Sequence, residues 1–338
     1  MKKTLIGILY VLTVVLAVCS ILSLFRNAEF RYLKMLDFPR IQLFIATFIG
    51  IIFLLIFIKK WKWYNYLLML GLIGGLIING SFLINYTSLV AEEVPTAIDL
   101  KTSGNQFSIL LSNVKMKNRK AQPLLDLISV KKPDLILAME VDSWWNQELM
   151  VLENEYPYSQ HTINEVAYGM VLYSKLPLKQ VEVAYLTHKN VPSFESTITL
   201  PNGKNINLHA IHPVPPTQFK KYPDNAGQQE NALKKLGKTI EGRKLPTMVA
   251  GDLNDVVWSY VDDLTGTKNI LFDVRVGRGF YNSFNAENFL MRWPLDHIFV
   301  TKEFQLKNLE CLPNIGSDHF PIYAEMVLVD NTANLNTK

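Results

Sequence analysis

Residues 247–254 read Thr-Met-Val-Ala-Gly-Asp-Leu-Asn, a short apolar run that stops at a carboxylate and an amide. A run of this kind predicts a strand buried on both faces, and the polar residues that end it predict a site at the rim of a sheet. Gly251-Asp-Leu-Asn254 also suits an ordinary turn, so its weight comes from its companions. Working outward, Asn113 follows Ser108-Ile-Leu-Leu-Ser, and Glu140 follows Asp134-Leu-Ile-Leu-Ala-Met. Asp296-His297 interrupts the run from Pro294 to Val300, and Gly316-Ser-Asp-His-Phe-Pro321 precedes the last apolar run. Ionised carboxylates are rarely buried without a partner, and a metal is the natural partner for several that converge. Oxygen donors such as Glu140, Asn113, Asp252 and Asp318 suit Mg²⁺ or Mn²⁺ rather than zinc.

Between these points the texture is α/β (α+β). Strands are predicted at 107–114, 135–139, 169–174, 180–186, 196–200, 206–211, 246–250, 296–300 and 321–328, with an amphipathic helix over 120–131 and a polar helix over 224–242. Pro201-Asn202-Gly203 signals a hairpin. Strands in that number with few helices predict a two-sheet, helix-flanked sandwich.

The chain has 338 residues, 34 Lys/Arg and 30 Asp/Glu. Residues 1–86 hold nine of the basic and two of the acidic groups, so the remainder, with 25 basic and 28 acidic, is mildly acidic. The basic pI therefore belongs to the N-terminal part and is not a nucleic-acid signature. Two cysteines, Cys19 and Cys311, make neither a disulfide framework nor a zinc site.

That N-terminal part carries three uncharged stretches, 4–25, 41–58 and 64–86, each close to or above the length that crosses a bilayer. Trp61, Trp63, Tyr64 and Tyr66 gather at the start of the third, where amphipathic rings favour the headgroup level, and Gly71 and Gly75 form a small-xxx-small pair. Residues 1–90 are thus predicted to be a three-span membrane anchor, 91–103 a linker, 104–329 the catalytic domain and 330–338 a polar tail. A cleaved signal peptide is the competing reading of the first stretch, disfavoured by its length. Five cytoplasmic basic residues against four in the first loop predict a cell-membrane protein with an extracytoplasmic domain.

Asn113, Glu140, Glu195, His212, Asp252-x-Asn254, Asp296 and Ser317-Asp318-His319 resemble, in order and flanking residues, the endonuclease/exonuclease/phosphatase superfamily of deoxyribonuclease-I-like metal phosphoesterases. The resemblance runs from about Ser108 to Met326, and with the His212-Pro-Val-Pro-Pro run it looks like the bacterial membrane-anchored branch. It implies a four-layer α/β/β/α sandwich and hydrolysis of a phosphoric ester. It also implies Glu140 as principal Mg²⁺ (or Mn²⁺) ligand with Asn113, Asp318 as ligand or phosphate partner, and His319 as general base oriented by Asp296. Asp252 and Asn254 would orient the nucleophile and hold the phosphate, and His212, backed by Glu195, would protonate the leaving oxygen or bind phosphate.

Bland readings stand beside these. Asn113 also suits a helix cap, and Glu195 a solvated strand position. His161, His188 and His297 read as structural, and His209 as pointing away from the side that His212 takes. Arg292 is a candidate phosphate contact. Lys115-Met-Lys-Asn-Arg-Lys120 reads as a track for a phosphate backbone or a solvated helix start, and Tyr281, Phe284, Phe289 and Trp293 as a substrate wall or core. The expected partners are the lipid bilayer and a phosphate-ester substrate, either a lipid headgroup or nucleic acid, with no obligate protein partner. An extracellular nuclease and a catalytically silent binding module are the alternatives.

Overall fold

The computed structural model describes residues 2–25, 31–98, 104–215, 228–259, 267 and 269–329. The chain divides into two compact units, Met1–Val90 and Ala91–Lys338. The expected tail, 330–338, and the start of the expected helix at 224 lie outside the described residues.

The first unit contains α1 (Lys2–Leu22), α2 (Arg31–Lys34), α3 (Arg40–Phe57) and α4 (Trp63–Leu83). Three stretches, Ile6–Phe25, Arg40–Phe57 and Trp63–Tyr86, are long and apolar enough to cross a membrane. Small residues bring the helices together. A Cβ placed on Gly75 would lie 3.0 Å from Ser20 Oγ, and one on Gly71 3.3 Å from the Ala17 Cβ, so α1 and α4 touch through the expected glycine pair. Arg40, read from the sequence as a loop charge, is fully buried. Its Nε donates to Asp37 Oδ1 at 3.0 Å, and Nη1 to Ser23 Oγ at 3.2 Å and Asn79 Oδ1 at 3.4 Å. Asn79 in turn donates to Ser20 Oγ at 3.1 Å. Only such a satisfied network makes a buried guanidinium tolerable.

The second unit is a four-layer sandwich. One sheet has the order β11-β12-β1-β2-β4-β3 and the other β5-β6-β7-β8-β10-β9. In the first are β1 (Gln106–Asn113), β2 (Leu135–Met139), β3 (Tyr158–Thr162), β4 (Met170–Ser174), β11 (Phe304–Cys311) and β12 (Ile322–Leu328). In the second are β5 (Leu178–Ala184), β6 (Ser193–Thr199), β7 (Asn205–Ile211), β8 (Thr247–Asp252), β9 (Phe272–Asp273) and β10 (Asp296–Val300). Ile109, Leu137, Met139, Ala210, Met248 and Ile298 fill the space between the sheets. The outer faces carry helices. α5 (Gln122–Lys131) and α6 (Ser143–Leu149) cover the first sheet through Leu124, Ile128 and Trp145. α7 (Gln228–Glu241) covers the second through Leu233, Leu236 and Ile240, the i, i+3, i+7 stripe of an amphipathic helix.

Each sheet holds one parallel pair, β1 with β2 and β7 with β8, and every other pairing is antiparallel. Asn113, Glu140, His212 and Asp252 stand at the carboxyl ends of these four strands. Asp296 lies directly opposite Asp252 in the ladder, and His319 enters β12, the antiparallel neighbour of β1. The topology thus gathers six polar residues at one rim.

The backbone behind Asp252 is tightly built. Gly251 has φ +146°, and a Cβ there would fall 1.9 Å from the Ile211 carbonyl oxygen. Gly251→Ala is expected to cost about 3 kcal/mol or more, read as a lowered thermal midpoint of the detergent-solubilised chain. An unchanged midpoint would contradict that fit.

The predicted linker is only partly a linker. Val94 is buried in the inter-sheet core, Ala97 N donates to Leu306 O at 2.8 Å, and Arg278 pairs with Glu92 at 2.6 Å. Residues 91–98 therefore belong to the sandwich edge. The expected helix over 120–131 starts at Gln122, after the Lys115–Lys120 run.

Candidate active site

Asn113 is the central connector. Its buried Nδ2 donates to Glu140 Oε1 at 3.1 Å and to Asp252 Oδ2 at 3.0 Å, joining the two sheets. A second tie crosses the same gap, since Asp252 N donates to the Met139 sulfur at 3.2 Å. Glu140 leaves β2 at φ +62°, a left-handed conformation rare outside glycine, and its Oε2 accepts from Met116 N at 3.1 Å. Burial pushes the Glu140 carboxyl above the ordinary range, with the Met116 and Asn113 donors opposing.

His319 lies between two aspartates. Its Nδ1 is 2.8 Å from Asp296 Oδ2 and its Nε2 is 3.5 Å from Asp252 Oδ2. Burial alone would lower the ring, but Asp296 and then Asp252 outweigh it and raise His319 to about 10. The side-chain atoms of Asp252, Asp296 and His319 that could serve as ligands all lie within 4.8 Å of one another. Asp252 is itself pushed upward by burial. His212 Nε2 is 3.8 Å from Asp252 Oδ2, and its ring packs 5.5 Å from that of Tyr168. Burial lowers its pKa, so at neutral pH the ring is uncharged. Asn254 Nδ2 donates to Pro213 O at 3.0 Å and its N to Asp252 Oδ1 at 2.8 Å, fixing the loop after β8 to that after β7.

Asp318 lies at the edge of this group, 3.5 Å from Lys115 Nζ. Arg292 Nε donates to Asn285 O at 3.3 Å, and its guanidinium lies over the rings of Phe320, next to His319, and Phe289. The Lys115–Lys120 run is tied inward, with Lys115 on Glu287 at 2.7 Å and Arg119 on Asp142.

One expected pairing is corrected. Glu195 does not stand behind His212. It lies directly across the β6–β7 ladder from His209, with Oε1 3.5 Å from Nδ1. His209 and Ile211 project from the same face of β7, and Ile211 packs with the α7 cluster, so this pair is on the outer side of the sheet. The Glu195 carboxyl is held low by the neighbouring His209 ring. A depressed carboxyl adds stability above its unfolded pKa and loses it as pH falls through the folded one. Glu195→Gln is therefore expected to melt below the unmodified chain at pH 7, with the two midpoints converging as pH drops below about 4. Its turnover should change by less than about tenfold, whereas loss of an acid–base group costs roughly 10²–10⁴. A larger loss would return Glu195 to the catalytic machinery.

Further contacts support the rim, and those of Ser283 and Arg275 were not read from the sequence. Ser317 Oγ donates to Asn113 O at 2.7 Å, and Ser283 Oγ accepts from Asp296 N at 3.1 Å. Arg275, paired with Asp273 at 2.9 Å, donates from Nη1 to Asp296 O at 3.0 Å and from Nη2 to His297 Nδ1 at 2.9 Å. Burial, and after it the Arg275 guanidinium, hold the His297 ring well below the ordinary imidazole range, with Nε2–H pointing to Asp255 O at 2.8 Å. The signal for Arg275 was weak, a lone Arg-Val pair in an irregular stretch.

The profile of the Endonuclease/Exonuclease/phosphatase family matches residues 110–319, which include every one of these rim residues. The chain belongs to that family. It is accordingly a hydrolase of phosphoric ester bonds. Among solved structures the chain resembles humanized D. rerio TDP2, at 16% identity over 66% of this chain and 99% of that one, with a TM-score of 0.55. An endonuclease/exonuclease/phosphatase from Beutenbergia cavernae aligns at 16% identity over 67% and 72%, TM-score 0.51. The human Nocturnin catalytic domain aligns at 16% over 67% and 94%, TM-score 0.50. At such identities the likeness concerns the fold. A search of curated proteins found no significant match.

The donor set fits a hard divalent cation. Glu140 is a half-buried carboxylate whose hydrogen-bond donors are neutral, and Asp296 Oδ1 and His212 Nδ1 are buried without a hydrogen-bond partner among the described residues. Oxygen-rich, anionic and incompletely satisfied groups are what such an ion requires.

Proposed function

We propose that the chain is a membrane-anchored, Mg²⁺- or Mn²⁺-dependent phosphodiesterase that acts by direct attack of water. The observation that supports it most is the Asn113 bridge, which draws Glu140 of one sheet and Asp252 of the other to a single point beside the His319–Asp296 pair. Glu140, with Asn113 and Asp318, would hold the ion, which when bound supplies charge for the phosphoryl oxygens. His319 accepts the proton of the attacking water, and Asp296 on the far nitrogen fixes the tautomer and stabilises the imidazolium. Asp252 and Asn254 orient water and phosphate. A cation held beside His319 would oppose the field of Asp296 and Asp252 that raises it, so metal occupancy and a proton-accepting His319 would be thermodynamically linked.

His212 has two roles open from the sequence. Its neutrality favours hydrogen-bond donation to a phosphate oxygen over protonation of the leaving group. Three stretches apolar enough to cross a membrane support a bilayer location, and the basic-residue count around them supports an extracytoplasmic catalytic unit. Nucleic acid is the second reading, because a D. rerio TDP2 structure similar to this chain holds a single-strand DNA product. The mild acidity of residues 87–338 argues against it, since non-specific DNA binding needs phosphate neutralisation.

The full chain in detergent should hydrolyse bis(p-nitrophenyl) phosphate with Mg²⁺ or Mn²⁺ and lose that turnover with chelator. Metal-independent turnover, or none with either ion, would refute the mechanism.

A further inference from the structure

The loop between Phe284 and Trp293 is attached at its base to the catalytic rim. Phe284 N donates to Trp293 O at 2.9 Å, and the two rings stack with centroids 5.9 Å apart. The Phe284 backbone bridges to His319, its ring lies 5.0 Å from the imidazole, and Ala286 N donates to Asp318 O at 2.7 Å. At the far end Asn285 Oδ1 accepts from Glu287 N at 2.8 Å and Asn288 Oδ1 from Leu290 N at 3.0 Å, two side-chain turns that shape the tip.

That tip presents three consecutive large apolar side chains to solvent. Phe289 is 78% exposed, Leu290 72% and Met291 44%. Contiguous exposed apolar side chains mark a contact surface rather than ordinary scatter. The charges around them suit one occupant. Arg292 lies just behind the tip, 5.4 Å from the Phe289 ring, and the acidic Glu287 is neutralised by Lys115 at 2.7 Å. Apolar side chains at a tip with a guanidinium one step behind match the boundary between acyl chains and phosphate headgroups. The same chain has three helices long and apolar enough to cross a membrane.

We infer that residues 285–292 form an interfacial loop that dips into a bilayer beside the active site, so that the phosphodiester presented to His319 is that of a membrane phospholipid. The inference rests on the phosphoesterase reading for its chemistry and on the loop for its substrate class. Hydrolysis adds the water oxygen to phosphorus, breaks one P–O bond and delivers a proton to the departing alkoxide.

Two measurements on the full chain in phosphatidylcholine/phosphatidylglycerol proteoliposomes test it. In a Cys19→Ser, Cys311→Ser background, an environment-sensitive fluorophore on Leu290→Cys should emit to the blue and be quenched by acyl-chain spin labels. Emission like that of a water-exposed dye, without quenching, overturns the inference even if bis(p-nitrophenyl) phosphate is hydrolysed. Second, Leu290→Ser with Met291→Ser should lower hydrolysis of vesicle phospholipid by about tenfold and leave that of bis(p-nitrophenyl) phosphate unchanged. Equal loss on both substrates, or on neither, counts against it, as does hydrolysis of DNA but no phospholipid. Insertion of the label in a chain that hydrolyses no diester supports the loop's role and refutes the phosphoesterase mechanism instead.

Discussion

Glu140→Gln is expected to lower phosphodiester turnover on the order of 10²–10³-fold or more, while the metal-free chain unfolds no more readily than before. The two halves of that result have one cause. Glu140 is a carboxylate raised by burial, with the amide of Asn113 and the amide N–H of Met116 as its donors. Its charge opposes folding in the absence of a cation, so a neutral amide of equal size relieves the fold and deprives the ion. Gln also sets its NH₂ against either the Asn113 Nδ2 or the Met116 N–H, which limits the gain. The check pairs steady-state turnover with denaturation in chelator. Loss of stability in parallel with activity would make Glu140 a structural residue.

His319→Ala should lose roughly 10²–10⁴-fold in turnover, with the opposite signature in stability. The imidazole is the cationic partner of Asp296 at 2.8 Å and faces Asp252 at 3.5 Å. Its removal leaves two buried carboxylates without that partner, at a cost of about 3–5 kcal/mol in the metal-free chain. Saturating Mg²⁺ should restore most of that stability and none of the activity. A variant with most of its turnover intact would take the general-base role away from His319.

The rim residues were legible because the chemistry interrupts the pattern. Asn113, Glu140, Asp252 and Asp296 each break an otherwise apolar strand, and a buried strand tolerates a carboxylate only where something compensates it. What was not legible depends on pairing across the fold. The partner of Glu195 is set by the register of β6 on β7, which places His209 rather than His212 opposite it. The Arg275 support of Asp296 and His297 spans a long irregular segment and has no periodic signature. The edge strands β3 and β11, polar or alternating, lacked the continuous apolar run that revealed the central ones. Helix α6 is only seven residues long and is started by Asp142, whose carboxylate caps Trp145 N at 2.9 Å. Residues 91–98 dock through backbone pairing with Leu306, which composition does not encode.

The two ties between the sheets, Asn113 to Asp252 and Asp252 to Met139, have a consequence for how this enzyme fails. Half of the reactive constellation rides on each layer of the sandwich, so a slide of one layer over the other by a fraction of a bond length misaligns proton acceptor and phosphate before any strand melts. Turnover is therefore a finer gauge of interior packing than unfolding is, and enlarging or trimming a side chain such as Met248 or Ile298 should silence the chemistry in molecules that still look native.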